Sequence, residues 1–273
     1  MKYCIKYQRD FPYLDKVDEI TITYNRKDTT LLDFLLKYKN KIINIYIKDE
    51  DDFLKNDCIK IFDAIATEHP EINFRFKLKR YTDDNSHFCS IIINNKIPHK
   101  YFFDYFVSDW DTLWGYINLK PASIYVTADL GFEIKTVAEI LHNRGIEVRC
   151  LPNVAQSNWG ETAALKRFFI RPEDIDLYEP YVDVCEFFGD SKKESIYYKI
   201  YALDKKWFGK LNEIIISFDS ELDSRFLLPN FADRRLECGK RCLKGRGCKI
   251  CEATEQLSAK LEEKNLIFKV EKE

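Results

Sequence analysis

The clearest pattern of apolar and polar positions runs through residues 122–153, ASIYVTADLGFEIKTVAEILHNRGIEVRCLPN. Ile124, Tyr125 and Val126 make a short β-prone run of the kind buried on both faces of a parallel sheet. Val137, Ala138, Ile140 and Leu141 then recur at helical spacing. Gly145 follows where a left-handed helix end suits glycine, and His142 and Arg144 sit near the negative end of that helix. Ile146 to Leu151 supplies a second strand. The stretch predicts a βαβ unit, two parallel neighbours joined by a helical crossover.

The alternation extends along most of the chain. Residues 1–14 read as an edge strand or arm before the repeat begins. Glu19–Tyr24 alternates and is β-branched, and Leu31, Leu32, Leu35 and Leu36 share one helical face after it. Lys41–Lys48 is the next strand, and Asp49–Asp52 sets acids at a helix start, where they suit the positive helix end better than a metal. That helix runs past Ile59, Phe62 and Ala66 to the stop at Pro70. Ile72–Lys79 alternates strictly as a strand. Residues 83–95 are expected to be helical, because Lys100–Val107 is the strand that follows. Asp109 opens a helix to about Leu119, before the βαβ unit.

After Pro152 the pattern predicts a loop, a short helix at 161–166, a brief strand Arg167–Ile170 and a helix opened by Pro172. A strand Tyr181–Phe188, a helix Lys192–Phe208 and a strand-like run Asn212–Phe218 complete it. The expected fold is α/β: a parallel (β/α)8 TIM-like barrel over residues 1–218, with 219–273 as a C-terminal cysteine-rich metal-binding extension. An open doubly wound sheet shares the same spacing. The extension should carry a helix at 252–264, with Leu257 and Leu261 on one side, and a last strand around Phe268 and Val270.

The 273 residues suit one α/β barrel. With 43 basic against 45 acidic residues there is no global field to draw nucleic acid or an anionic membrane, so such a partner must meet a local patch. No window approaches roughly 18 consecutive apolar residues, and the first residues lack an apolar signal core, which predicts a soluble cytoplasmic protein with no membrane partner.

Cys4, Cys58, Cys89, Cys150 and Cys185 are scattered through strand- or helix-like runs, as buried inert thiols are. Cys238, Cys242, Cys248 and Cys251 instead follow a C-x3-C-x5-C-x2-C spacing, with three intervening glycines that permit the turns of a tetrahedral thiolate cage. The spacing predicts a metal site. Zinc is the simplest occupant, and an iron–sulfur cluster takes the same four thiolates. Around the cysteines, Arg234, Arg235, Lys240, Arg241, Lys244, Arg246 and Lys249 stand against Glu237. Part of that charge offsets the thiolates, and the excess suits phosphate, which makes nucleic acid the partner this segment fits.

In a barrel, function gathers on the loops after the carboxyl ends of the strands. Asp129, Glu186 and Arg171 are the leading candidates there: carboxylates as acid, base or ligand, and a guanidinium to hold a substrate carboxylate or phosphate. Each has a structural counterpart, with Asp129 capping the following helix and Arg171 pairing with the acids after it.

The order of βα units, residues 122–153, the run YVDVCEFFG at 181–189 and the cysteine cluster together resemble the peptidase U32 family over roughly residues 19–218. The resemblance implies a TIM-like barrel and a role for Glu186. It also implies either protein breakdown or, with an iron–sulfur cluster, support of RNA or quinone hydroxylation. The chain departs from the family where a glutamate is followed shortly by His-Gly: here Glu186-Phe-Phe-Gly189 has no histidine, and the cysteines are closer together.

Two functions follow as expectations. One is an enzyme acting on nucleic acid or peptide at the rim, with Asp129 and Glu186 as acid/base groups and Arg171 as anchor. The other is a non-catalytic nucleic-acid-binding or assembly protein with a structural zinc site. Convergent carboxylates of raised pKa in an open cleft point to the first, and a filled mouth with an exposed apolar patch points to the second.

Overall fold

The computed structural model describes residues 1–7, 10, 12–27, 29–131, 133–156, 164–189, 191–238 and 249–267. Its strands are β1 (Lys2–Lys6), β2 (Glu19–Thr23), β3 (Ile42–Tyr46), β4 (Asn73–Leu78), β5 (Lys100–Phe103), β6 (Phe106–Val107), β7 (Ser123–Val126), β8 (Glu147–Cys150) and β9 (Val184–Glu186). They form one nine-stranded sheet in the order β5-β4-β3-β2-β1-β9-β8-β7-β6. Every neighbouring pair is parallel. Only Asp104 and Tyr105 separate β5 from β6, which stand at opposite ends of that order, and the Ala122 N–H donates to the Tyr101 carbonyl at 2.7 Å. The sheet therefore curls so that β5 approaches the start of β7, giving a barrel-like α/β fold.

The helices are α1 (Leu31–Lys37), α2 (Glu50–Lys55), α3 (Cys58–Glu68), α4 (Ser86–Ile93), α5 (Trp110–Asn118), α6 (Ala128–Gly131), α7 (Ile134–His142), α8 (Ile175–Tyr178), α9 (Ser191–Tyr198), α10 (Phe231–Cys238) and α11 (Ile250–Glu263). No helix among the described residues is long and apolar enough to cross a membrane. Local chemistry sets several helix starts. Asp49 accepts from the Asp52 N–H at 2.9 Å and Asp109 from the Thr112 N–H at 2.8 Å, so both acids are caps, as expected for Asp49–Asp52. Gly145, at φ 68°, ends the α7 segment in the left-handed region where glycine has no Cβ penalty.

Strand alternation sorts side chains into two layers. In β4, Phe74, Phe76 and Leu78 point to the helix side, where Phe62 of α3 and Phe53 of α2 pack edge-on to Phe76. This outer layer holds the main apolar core. The opposite face of the same strand carries Arg75 and Lys77, and inside the curl the only apolar cluster among the described residues is Phe102, Tyr125 and Leu151 with Phe106 and Val154.

Several expectations change. Residues 2–6 are not an outlying arm: β1 lies between β9 and β2 and joins the two halves of the sheet. Because β8 pairs directly with β9, Arg167–Ile170 is left out of the sheet and contributes only the antiparallel bridge between Gln156 and Phe168. The run 212–218 forms a 3-10 turn at Leu211–Glu213 and an isolated bridge from Ile216 to Val154. The expected helix 192–208 is α-helical to Tyr198 and then π-helical over Lys199–Asp204. The short helix at 161–166 is seen only as a 3-10 turn at Ala164–Lys166, with its earlier residues outside the described ones, as is the last strand at Phe268 and Val270.

Candidate functional site

Because the helices cover the outer face, the polar positions of the alternating strands can only turn inward. Parallel register then stacks them at one height. Thr21 pairs with Asn44 and Asn44 with Arg75, while Cys4 stands beside Glu19 on one side and Glu186 on the other. The result is a buried ion network centred on Arg149, which has 0 % exposure.

Arg149 bridges two carboxylates. Its Nη2 donates to Glu19 at 2.6 Å, its Nη1 to Glu186 at 3.2 Å and its Nε to the Ser123 hydroxyl at 3.3 Å, while the guanidinium lies 4.4 Å from the Phe102 ring centroid. Glu186 receives two more donors, Lys77 Nζ at 2.8 Å and the Tyr125 hydroxyl. Lys77 also reaches Asp104 at 3.2 Å, a carboxylate in the break between β5 and β6 with 36 % of its side chain exposed. Toward the amino ends of the strands, Asn44 donates to Glu19 at 3.0 Å, and Glu147 pairs with Arg75 at 2.6 Å and with Lys2.

The electrostatics follow from burial set against these pairs. Burial works against ionisation of Glu186, but Lys77 and Arg149 overcome it and hold the carboxyl at about 2. Glu147 is held at about 2 in the same way, burial being outweighed by Arg75 and Lys2. Burial opposes the Lys77 ammonium, yet Glu186 and the groups near it raise its pKa well above the ordinary value. Burial, reinforced by Glu186, pushes the Tyr125 phenol well up, so it serves as a hydrogen-bond donor and stays protonated. An ionised carboxylate with three donors is an anchor for its neighbours. It has neither the proton of a general acid at neutral pH nor the basicity of a general base.

The three predicted site residues are dispersed. Glu186 lies in the network. Arg171 is buried outside the curl, at the start of the 3-10 turn Pro172–Asp174, and its Nη2 and Nε both bond to Asp174, the former at 2.8 Å. Asp174 thus occupies the guanidinium edge that an anionic substrate would need, so the geometry gives Arg171 the role of pairing with the acids after it. Asp129 falls in α6, in the turn after β7, and its side chain lies outside the described residues. Sequence reasoning missed Arg149, Lys77, Tyr125 and Glu19. For Glu19 and Lys77 the signal was present in the strict alternation of β2 and β4: in a parallel sheet covered by helices on one face, polar alternation means a polar interior.

The cysteine cluster falls mostly outside the described residues: Cys242 and Cys248 entirely, and Cys238 in its side chain. Among the described residues no three His, Cys, Asp or Glu groups are arranged to hold a metal. What is described is the frame around the cluster. Cys238 is the last residue of α10 and Cys251, buried, the second of α11. Both helices dock on the same stretch. From α10, Arg235 donates to the Phe169 carbonyl at 3.0 Å and to the Arg167 carbonyl at 2.6 Å. From α11, Glu252 pairs with Lys166 at 2.8 Å and Glu255 accepts from the Leu165 N–H. That stretch lies at the carboxyl ends of β7 and β8: Phe168 packs on Gly131 in the turn after β7, and Ile170 bonds to Pro152 just after β8.

No family model, curated protein or solved structure matches the chain.

Proposed function

We propose that this chain is a non-catalytic nucleic-acid-binding protein in which a U32-like closed (β/α)8 barrel supports a four-cysteine metal module over the carboxyl ends of its strands. The observation that supports the reading is the shared docking of α10 and α11 on residues 164–169, because α10 ends at Cys238, α11 begins next to Cys251, and the basic stretch 239–249 joins them in sequence. Two helix ends fixed on one support are what a C-x3-C-x5-C-x2-C loop requires to close around an ion; zinc is the simplest occupant, and an iron–sulfur cluster takes the same four thiolates. Arg234 and Lys249, at the two edges of the stretch, are exposed and available to phosphate.

The interior favours binding over acid/base chemistry at Glu186, because that carboxylate is fully committed to cations and a phenol. The exposed Phe208 (74 %) and Ile196 (53 %), which flank Trp207 in one groove, add the surface patch expected of an assembly protein.

Metal analysis with a visible spectrum, followed by fluorescence anisotropy with single-stranded RNA across a salt series, tests the reading. The expected result is a colourless, zinc-containing protein whose RNA affinity falls steeply with salt and is lost when Lys240, Arg241, Lys244 and Arg246 are changed to glutamine. A metal-free protein, or RNA binding indifferent to these four changes, refutes it. A coloured protein that turns over RNA or peptide restores the enzymatic reading.

A further inference from the structure

At the opposite, amino-terminal end of the strands a cleft of about 660 Å³ opens between the starts of β4, β5, β7 and β8. Its walls carry Arg75, Lys100, Lys120 and Arg144, with Glu147 as the one carboxylate among them. Glu147 is already matched by Arg75 and Lys2, so the cleft retains positive charge. Lys100, Lys120 and Arg144 are exposed and make no salt bridge among the described residues.

Arg75, 4 % exposed, is held by Glu147 through both of its Nη atoms, which leaves the exposed Lys100 and Lys120 as the cations open to a ligand. Lys120 sits at φ 55°, in the left-handed region that favours glycine. Lys120 thus lines the cleft at a position whose backbone glycine would also fit.

We propose that this cleft binds the phosphate of a phosphorylated ligand of nucleotide size. The volume is that of a small-molecule site, the cations suit a phosphate, and Ile117, Pro121 and Ile146 give the ligand's body an apolar wall. The phosphate can come from a free nucleotide or from a nucleic-acid backbone.

Isothermal titration of the full chain with adenosine diphosphate, and separately with a single-stranded oligonucleotide, tests this in Lys120→Gly and Lys100→Met. Losing one charge-assisted contact weakens binding by roughly tenfold or more. Lys120→Gly also removes the backbone penalty, so its melting temperature should stay level or rise. Weakened diphosphate binding at unchanged or higher melting temperature supports a free nucleotide, and the same loss for the oligonucleotide alone supports a backbone phosphate. Absence of binding to either probe overturns the proposal, as does unaltered affinity in both variants or a loss that tracks a lowered melting temperature. Glutamine at the four basic positions of the cysteine segment should leave diphosphate binding intact, which separates this site from the one at the other end of the barrel.

Discussion

Glutamine at position 186 isolates the charge of the buried network from its shape. In the folded chain the Glu186 carboxyl is held at about 2 against an ordinary 4.5, by Lys77 and Arg149 acting against burial. Each pH unit of that displacement is worth roughly 1.4 kcal/mol, so the ionised form contributes about 3 kcal/mol at neutral pH. Because the folded value is depressed, this contribution is complete above pH 4.5 and is lost as the pH falls toward 2. Glu186→Gln should therefore be less stable than the parent by about 3 kcal/mol at neutral pH and by only about 1 kcal/mol near pH 3. Urea unfolding followed by tryptophan fluorescence at a series of pH values reads the difference directly, since carboxylates common to both proteins cancel. A gap that stays constant with pH would mean that Glu186 matters only as a packed hydrogen-bonding group. No gap at neutral pH would mean that the ion network is not formed. Either result refutes the reasoning.

Arg149→Met leaves Glu19 and Glu186 without their shared guanidinium, and breaking a buried pair from one side costs about 3–5 kcal/mol, measurable as a lowered urea midpoint. Gly131→Ala sets a Cβ 2.5 Å from the Phe168 ring, an overpacking worth about 1–3 kcal/mol, and Phe168→Leu in the same chain should recover part of the loss. Arg171→Met should lower the melting temperature by stranding Asp174 and leave RNA affinity unchanged. Reduced RNA affinity in a folded Arg171 variant would return that residue to the binding surface.

The parallel α/β architecture was legible because each helix and strand declares its period locally, as in residues 122–153 and in the alternation of β4. The membership of the sheet was not. MKYCIKYQRD has the composition of an exposed arm, and only its pairing with both β9 and β2 makes it a central strand. FFI at 168–170 is apolar enough for a strand, yet it is used to cover Gly131 and to receive Arg235, contacts that no local pattern announces. The site was legible at Glu186 alone, since a lone acid after an apolar run stands out. Arg149 lies between Val148 and Cys150 in the second strand of the βαβ unit, and a buried arginine is foreseen only once its two glutamates are known to lie beside it.

An ion network is an expensive way to fill this interior, because packed aliphatic side chains of the same volume avoid the desolvation of seven charged groups: Lys2, Glu19, Arg75, Lys77, Glu147, Arg149 and Glu186. What it supplies is register. In a helix-covered parallel barrel both faces of every strand are buried, so an all-apolar strand can shift by one residue and bury about as much surface as before. With charges inside, the same shift is forbidden. If β8 moved by one residue, Arg149 would enter the aromatic and aliphatic layer under α7, while Glu19 and Glu186 would lose the guanidinium that bridges them. Each strand that carries a network residue is pinned against its neighbours in this way. The rim at both ends of the barrel inherits that precision, which is what a module docked at one end and a cationic cleft at the other both require.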